Sequence, residues 1–170
     1  MRLPLSLVLL AGLAAAASPA AAEVTASSEA GFTSRHSIVI AAPPARVWDA
    51  LVHPGRWWDK AHSYSGDAAN LSIDARPGGC WCEKIAGGGV EHMRVVYVAA
   101  NETLRMRGGL GPLQQMPVTG VLTITLKPVA AGTELVATYA VAGPGLAALA
   151  APVDAVLGSQ WPRLKVAAEH

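Results

Sequence analysis

The chain has 170 residues, 52% hydrophobic and 15% charged, with 13 Lys and Arg against 12 Asp and Glu. That near-neutral balance, with no basic run, leaves no electrostatic footprint for nucleic acid, and the length fits one domain able to bury a core and enclose a cavity. Two cysteines without a companion cluster do not make a zinc finger, and neither a phosphate-binding Gly-rich motif nor a nucleophile and base triad is present to support a nucleotide-dependent or hydrolytic enzyme.

Met1-Arg2 and the apolar run 3–17 lead to Ser18-Pro19-Ala20-Ala21-Ala22, which offers small residues where a signal peptidase needs them. This predicts a signal peptide over 1–22, cut after Ala22, because the run is short and Ala-rich for a bilayer span. The mature chain, 23–170, is then 148 residues with 12 basic and 12 acidic groups, and its expected location is secreted, most naturally the periplasm. No later stretch reads as a membrane span, since Gly, Pro or alternating polar residues interrupt each apolar run.

Residues 23–31 show no periodicity and are expected to be a flexible leader, with the domain occupying 32–170. Ile38, Val39 and Ile40 continue a β-branched strand into Pro43-Pro44. Pro44 suits a first helical turn because its φ is pre-set and it lacks the amide a helix start leaves unpaired. Val47, Trp48 and Leu51 share the following helix's apolar face, and His53-Pro54-Gly55 stops it. Residues 56–69 lack a clear period and predict short helical turns and loop.

Leu71, Ile73 and Ala75 alternate with polar residues until Arg76-Pro77-Gly78-Gly79 breaks the run. Two strands, 80–85 and 90–98, flank Ala86-Gly87-Gly88-Gly89 and predict a hairpin. Leu104 and Met106 alternate with arginines, and residues 108–117 form a Gly-rich loop whose Leu110, Leu113 and Met116 suit either a lid or a plain surface connection. Leu122, Ile124 and Leu126, then Leu135, Ala137, Tyr139 and Val141, alternate as two strands of a half-buried meander. From Gly145 a helical period carries Leu146, Leu149, Val153, Leu157 and Leu164, with Pro152 near its start and Pro162 expected to kink or break it.

A strand, a helix, several antiparallel strands and a terminal helix predict an α+β fold in which that helix covers the sheet. The strand-Pro-Pro-helix junction of residues 35–52 resembles the opening of the SRPBCC superfamily, the helix-grip, START-like fold. The likeness covers nearly all of 32–168. Arg76-Pro77-Gly78-Gly79, Glu83, Gly108-Gly109-Leu110-Gly111-Pro112-Leu113-Gln114 and Ala151-Pro152-Val153-Asp154 are similar to the bacterial branch of chaperone-ATPase-activator homologues and polyketide cyclase-like proteins. The resemblance implies a curved antiparallel sheet wrapped around a long C-terminal helix, with an internal, mostly apolar cavity for hydrophobic ligands.

If residues 86–89 form a four-residue loop, Lys84 faces Glu91, Glu83 faces His92, Cys82 faces Met93 and Trp81 faces Arg94. Trp81, Glu83, His92 and Arg94 then share the inner face, where Glu83 can orient the His92 imidazole, and Arg94 can grip a ligand anion, unless the three only satisfy one another. His62, Trp58, Met106, Leu110, Tyr139, Val153 and Leu157 complete the expected ligand set, with Trp57 and Tyr64 as a possible aromatic rim. His62, Glu83 and His92 also form a two-His, one-carboxylate set, though without a recognised metal spacing. Cys80 and Cys82 share one face about 6.5 Å apart, which disfavours a disulfide unless the strand bulges and, with Met93 opposite, offers a soft-metal alternative. Asp154 and Gln160 face either the pocket or water.

These residues support a ligand-binding protein for a small hydrophobic or amphipathic molecule, without a cofactor. Two alternatives stand beside it. One is a cyclase or dehydratase-like enzyme with Glu83 and His92 as acid and base. The other is a protein-interaction module, which a signal sequence argues against because the chaperone partner implied by the family is not expected outside the cytoplasm.

Overall fold

A computed structural model describes residues 21–170. The expected signal peptide therefore lies outside the described residues except for its last two alanines. Eight strands, β1 (Ala21–Ser28), β2 (Gly31–Ile40), β3 (Leu71–Ile73), β4 (Cys80–Ile85), β5 (Gly88–Ala99), β6 (Thr103–Arg107), β7 (Thr119–Val129) and β8 (Gly132–Ala142), form one curved antiparallel sheet. Their order is β1-β2-β8-β7-β6-β5-β4-β3. Helix α1 (Pro44–Val52) follows β2, and α2 (Ala150–Glu169) ends the chain and packs on β2, β1 and α1. Among the described residues no helix is long and apolar enough to cross a membrane.

Local chemistry sets these boundaries. Pro44 opens α1 as expected, Val47, Ala50 and Leu51 turn to the core, and the helix ends at His53. Between α1 and β3 the chain makes three short 3-10 turns, Pro54–Arg56, Lys60–His62 and Ala68–Asn70. The Asp59 and Asp67 carboxylates cap the latter two by accepting from the amides of Ala61 and Ala69. In β7 and β8 the alternating Leu122, Ile124, Leu126, Leu135, Ala137, Tyr139 and Val141 are all buried.

Three expectations are corrected by the fold. Residues 23–28 are not a flexible leader but belong to β1, which pairs with β2. At the sheet edge, residues 25–28 are exposed on both faces, so no alternation marks them as a strand. Of the kink or break expected at Pro162, the break is absent, since helix α2 runs through it. The exposed proline removes one ladder hydrogen bond, while Val153, Leu157, Trp161, Leu164 and Ala168 hold the helix to the sheet by burial.

The third correction concerns register. The β4–β5 hairpin turns on two residues, Ala86 and Gly87, so Glu83 pairs with Val90, Lys84 with Gly89 and Cys82 with Glu91. Gly87 adopts φ +75°, a conformation suited to glycine. One residue, His92, is then left over, because Trp81 pairs with Met93 across a bulge. A bulge sends two successive side chains to one face and reverses the alternation beyond it. His92 and Met93 are both buried, and Arg94 is turned outward.

Candidate functional site

The inner face of β3, β4 and β5, the end of α2 nearest its start, and two loops enclose a cavity of about 340 Å³. The sheet contributes Leu71, Trp81 and His92, and α2 with the turn before it contributes Leu149, Pro152, Val153, Val156 and Leu157. Trp58, His62, Ser63 and Tyr64 stand on one side, and Leu110, Gly111 and Pro112 on the other. The two loops meet where the Tyr64 hydroxyl donates to the carbonyl of Gly111 at 3.1 Å. Among the described residues that line the cavity, none is Lys, Arg, Asp or Glu.

One polar group is held in place with particular care. The His92 Nε2 lies 3.0 Å from Glu83 Oε2, and both side chains are nearly inaccessible to solvent. Glu83 also accepts from the amides of Tyr64, at 3.1 Å, and Ser65, at 2.5 Å. Burial raises the Glu83 carboxyl pKa, but the hydrogen bonds from Ser65, Tyr64 and His92 outweigh it and leave the group below its ordinary value. An ionised carboxylate only accepts, so the shared proton sits on His92 Nε2 and Nδ1 remains an acceptor. Burial lowers the His92 pKa, opposed by Glu83, so the ring is neutral near pH 7. The side-chain amide of Gln114 approaches Nδ1 at 3.5 Å and donates to the Glu91 carbonyl at 3.1 Å.

Aromatic rings extend this arrangement. Trp81 meets Trp58 edge to face with centroids 5.0 Å apart, and His92 lies 5.9 Å from Trp81 and 5.8 Å from Tyr64. The cavity therefore offers flat apolar walls, one oriented imidazole, and hydroxyl groups at the loop that carries Ser63 and Tyr64.

Of the residues expected at the site, Trp58, His62, Trp81, His92, Leu110, Val153 and Leu157 do line the cavity. Glu83 stands behind His92 rather than in the wall. Met106 and Tyr139 are core residues, 0% and 1% exposed, and do not line it. Tyr139 instead braces the loop, donating to the Gly108 carbonyl at 3.0 Å and accepting from the Leu110 amide at 3.2 Å.

Arg94 faces solvent beyond the bulge, where it pairs with Glu91 and donates to the Gly78 carbonyl, so it cannot grip a ligand in the cavity. Met93 turns inward for the same reason. Cys80 and Cys82 form a disulfide with Cα atoms 5.4 Å apart, and this removes the proposed soft-metal set of two thiolates and Met93. His62, Glu83 and His92 do not form a metal-binding cluster; among the described residues no group of three or more His, Cys, Asp or Glu is placed to hold an ion.

Two buried polar sites were not resolved by sequence reasoning. Ser34 and His36 face inward from β2, where Ser34 donates to Asp154 Oδ1 of α2 at 2.5 Å and His36 Nε2 lies 3.1 Å from the same oxygen. Their positions alternate in phase with buried Phe32 and Ile40, a signal that was available in the sequence. Gln160 is buried and accepts from the Asp59 amide at 2.9 Å, tying α2 to the loop that leads to His62.

The fold and site can be compared with known proteins. A structure from Rhizobium leguminosarum matches with a TM-score of 0.62 and 21% identity over 89% of this chain and 99% of its own. The Aha1 dimer from Colwellia psychrerythraea matches at 0.60 and 20% over 79% and 94%, and a Chromobacterium violaceum protein at 0.59 and 22% over 81% and 97%. At these identities the likeness establishes the fold. Comparison with curated proteins finds no match. The family model described as polyketide cyclase / dehydrase and lipid transport matches residues 31–169, and the chain belongs to that family within the SRPBCC superfamily.

Proposed function

We propose that this chain is a secreted, periplasmic binding protein for a small, uncharged hydrophobic or amphipathic molecule. The observation that carries the reading is the apolar cavity of about 340 Å³ whose wall holds a neutral, oriented His92. Apolar walls supply affinity in proportion to the ligand surface they cover, and a few fixed polar groups set orientation. The walls hold no counter-charge for a carboxylate or an amine, so burying either would be costly. A ligand hydroxyl or another hydrogen-bond donor suits His92 Nδ1 in place of the long 3.5 Å contact from Gln114, and the Ser63 and Tyr64 hydroxyls, whose protons go to the carbonyls of Lys60 and Gly111, can accept from such a donor.

The oriented imidazole also favours a second reading, a dehydratase or cyclase-like reaction. Here His92 is the base, taking a proton on Nδ1, and Glu83, which stands behind the ring and outside the cavity lining, is a positioning residue. It is not the acid of an acid and base pair.

Native mass spectrometry of protein purified from periplasm tests both the compartment and the ligand. The expected result is a polypeptide with the mass of residues 23–170 carrying one organic molecule. An intact leader in the cytoplasm overturns the location, and an empty protein that also fails to bind neutral apolar probes overturns the binding function. His92→Ala separates the two chemistries: a carrier retains most of its affinity for an apolar probe, whereas an enzyme loses turnover while remaining folded.

A further inference from the structure

The Cys80–Cys82 disulfide and Arg94 take no part in the site described above, yet they lie directly behind its wall. We infer that Cys80–Cys82 is an exchange site for low-molecular-weight thiols, and that its redox state sets the shape of the cavity on the opposite side of β4. The inference rests on the cavity being the ligand site.

Residues alternate across a strand, so both cysteines point to the outer face while Trp81, between them, points in. The cysteines are partly exposed, and Trp81 is 2% exposed and stands in the cavity wall. Their Cα atoms are 5.4 Å apart. A regular strand separates residues i and i+2 by about 6.5 Å, so β4 is gathered in at Trp81. The β5 bulge falls at this same point, between the pairs Trp81 with Met93 and Cys82 with Glu91. That bulge places His92 and Met93 together on the inner face. Opening the disulfide frees β4 to extend where the register is least fixed, and Trp81 carries the change to Trp58 and His92, its ring neighbours.

The outer face provides the chemistry. Arg94 is the cross-strand partner of Cys80, and Glu91 is that of Cys82. Attack by a thiolate RS⁻ on the Cys82 sulfur forms an R–S–S–Cys82 bond and breaks the Cys80–Cys82 bond. Cys80, on the strand position paired with Arg94, leaves as a thiolate and then takes a proton from solvent. A second RS⁻ attacks the sulfur of R in the mixed disulfide, releasing RSSR and the Cys82 thiolate, which is protonated in turn. Two thiols thus supply two electrons, giving two protein thiols and one disulfide product.

The test uses the folded mature protein, reduced glutathione, and N-phenyl-1-naphthylamine as a neutral apolar probe. The expected results are a mass gain of about 2 Da under native conditions, a change of about threefold or more in probe affinity, and reversal of both by oxidised glutathione. The Trp81 indole N–H resonance, assigned with Trp81→Phe, is expected to move on reduction. Cys80→Ser/Cys82→Ser should match the reduced protein and ignore glutathione, and the wild-type titration carries the test alone if that variant does not fold.

No mass gain at millimolar glutathione overturns the exchange site. A mass gain with unchanged affinity and an unmoved Trp81 resonance overturns the coupling. If the probe binds in neither state, the ligand-binding reading is what fails. The Trp81 resonance then decides the inference separately, supporting it by moving and overturning it by staying still.

Discussion

Glu83 uses two oxygens to hold three donors: the Ser65 amide on Oε1, and the Tyr64 amide and His92 imidazole on Oε2. This one carboxylate therefore fixes both the cavity-side loop and the tautomer of the ring in the wall. Glutamine in its place keeps the shape but turns an amide N–H toward a group that is itself a donor. Glu83→Gln is expected to cost about 2–3 kcal/mol, the range for losing charge-assisted hydrogen bonds in a buried site. The pH dependence identifies the cause. Because its folded pKa is depressed, the stabilisation by Glu83 is complete above the ordinary carboxylate value of about 4.3 and is lost as pH falls through the folded value. Denaturant melts of wild type and variant should therefore differ most near neutrality and converge in acid. A difference that stays constant with pH would show that packing, not the ionised carboxylate, is responsible.

The loop from Gly108 to Val118 is apolar and Gly-rich, but its supports are specific. The Tyr139 hydroxyl joins the Gly108 carbonyl to the Leu110 amide, and the absence of a side chain at Gly120 makes room for it. A Cβ at Gly120 would come within 2.6 Å of the Tyr139 hydroxyl. Tyr139→Phe removes both partners while keeping the ring, and is expected to cost about 1–3 kcal/mol. Hydrogen exchange should speed at Leu110 far more than in β7 and β8, and uniform acceleration would contradict a local brace. Gly120→Ala should destabilise more, since backbone as well as the tyrosine must shift. The alternation of Tyr139 with Leu135 and Ala137 predicts its burial, but the partners of its hydroxyl come from a loop 29 residues away and carry no local pattern. The β4–β5 hairpin was partly legible for a similar reason. A four-residue turn and a two-residue turn put Glu83 and His92 on the same face, so their contact is common to both registers. Arg94 and Met93 lie beyond a bulge that no local residue pattern announces, and their faces are reversed.

Across the whole molecule, elements with local causes were readable: the proline-opened α1, the alternating β7 and β8, and the amphipathic α2. Contacts between α2 and the sheet were not, because helical phase alone does not show whether Asp154 meets Ser34 and His36 or solvent. That cluster joins β2 to the start of α2, where Val153, Val156 and Leu157 form the cavity's cover. At the other side of the cavity, Glu83 and His92 join β4 and β5 to the loop of Tyr64 and Ser65. Burial lowers the pKa of both His36 and His92, against the opposing pull of Asp154 and Glu83. Both rings are thus neutral in the native protein under conditions where an unfolded histidine, with a pKa of about 6.5, already takes up a proton. The unfolded state then binds more protons, and stability rises with pH. The full contribution is present above about pH 6.5, and each ring removes up to about 1.4 kcal/mol per pH unit on descending toward its folded pKa. Melting curves should accordingly fall steadily in Tm from pH 7 to 5. In His36→Gln/His92→Gln that slope should flatten, even though the variant starts lower because two buried contacts are impaired. An unchanged slope would assign the acid response to other groups. If each single variant removes about half of the slope, the two sides of the cavity yield to acid together, and ligand retention should decline over the same pH interval.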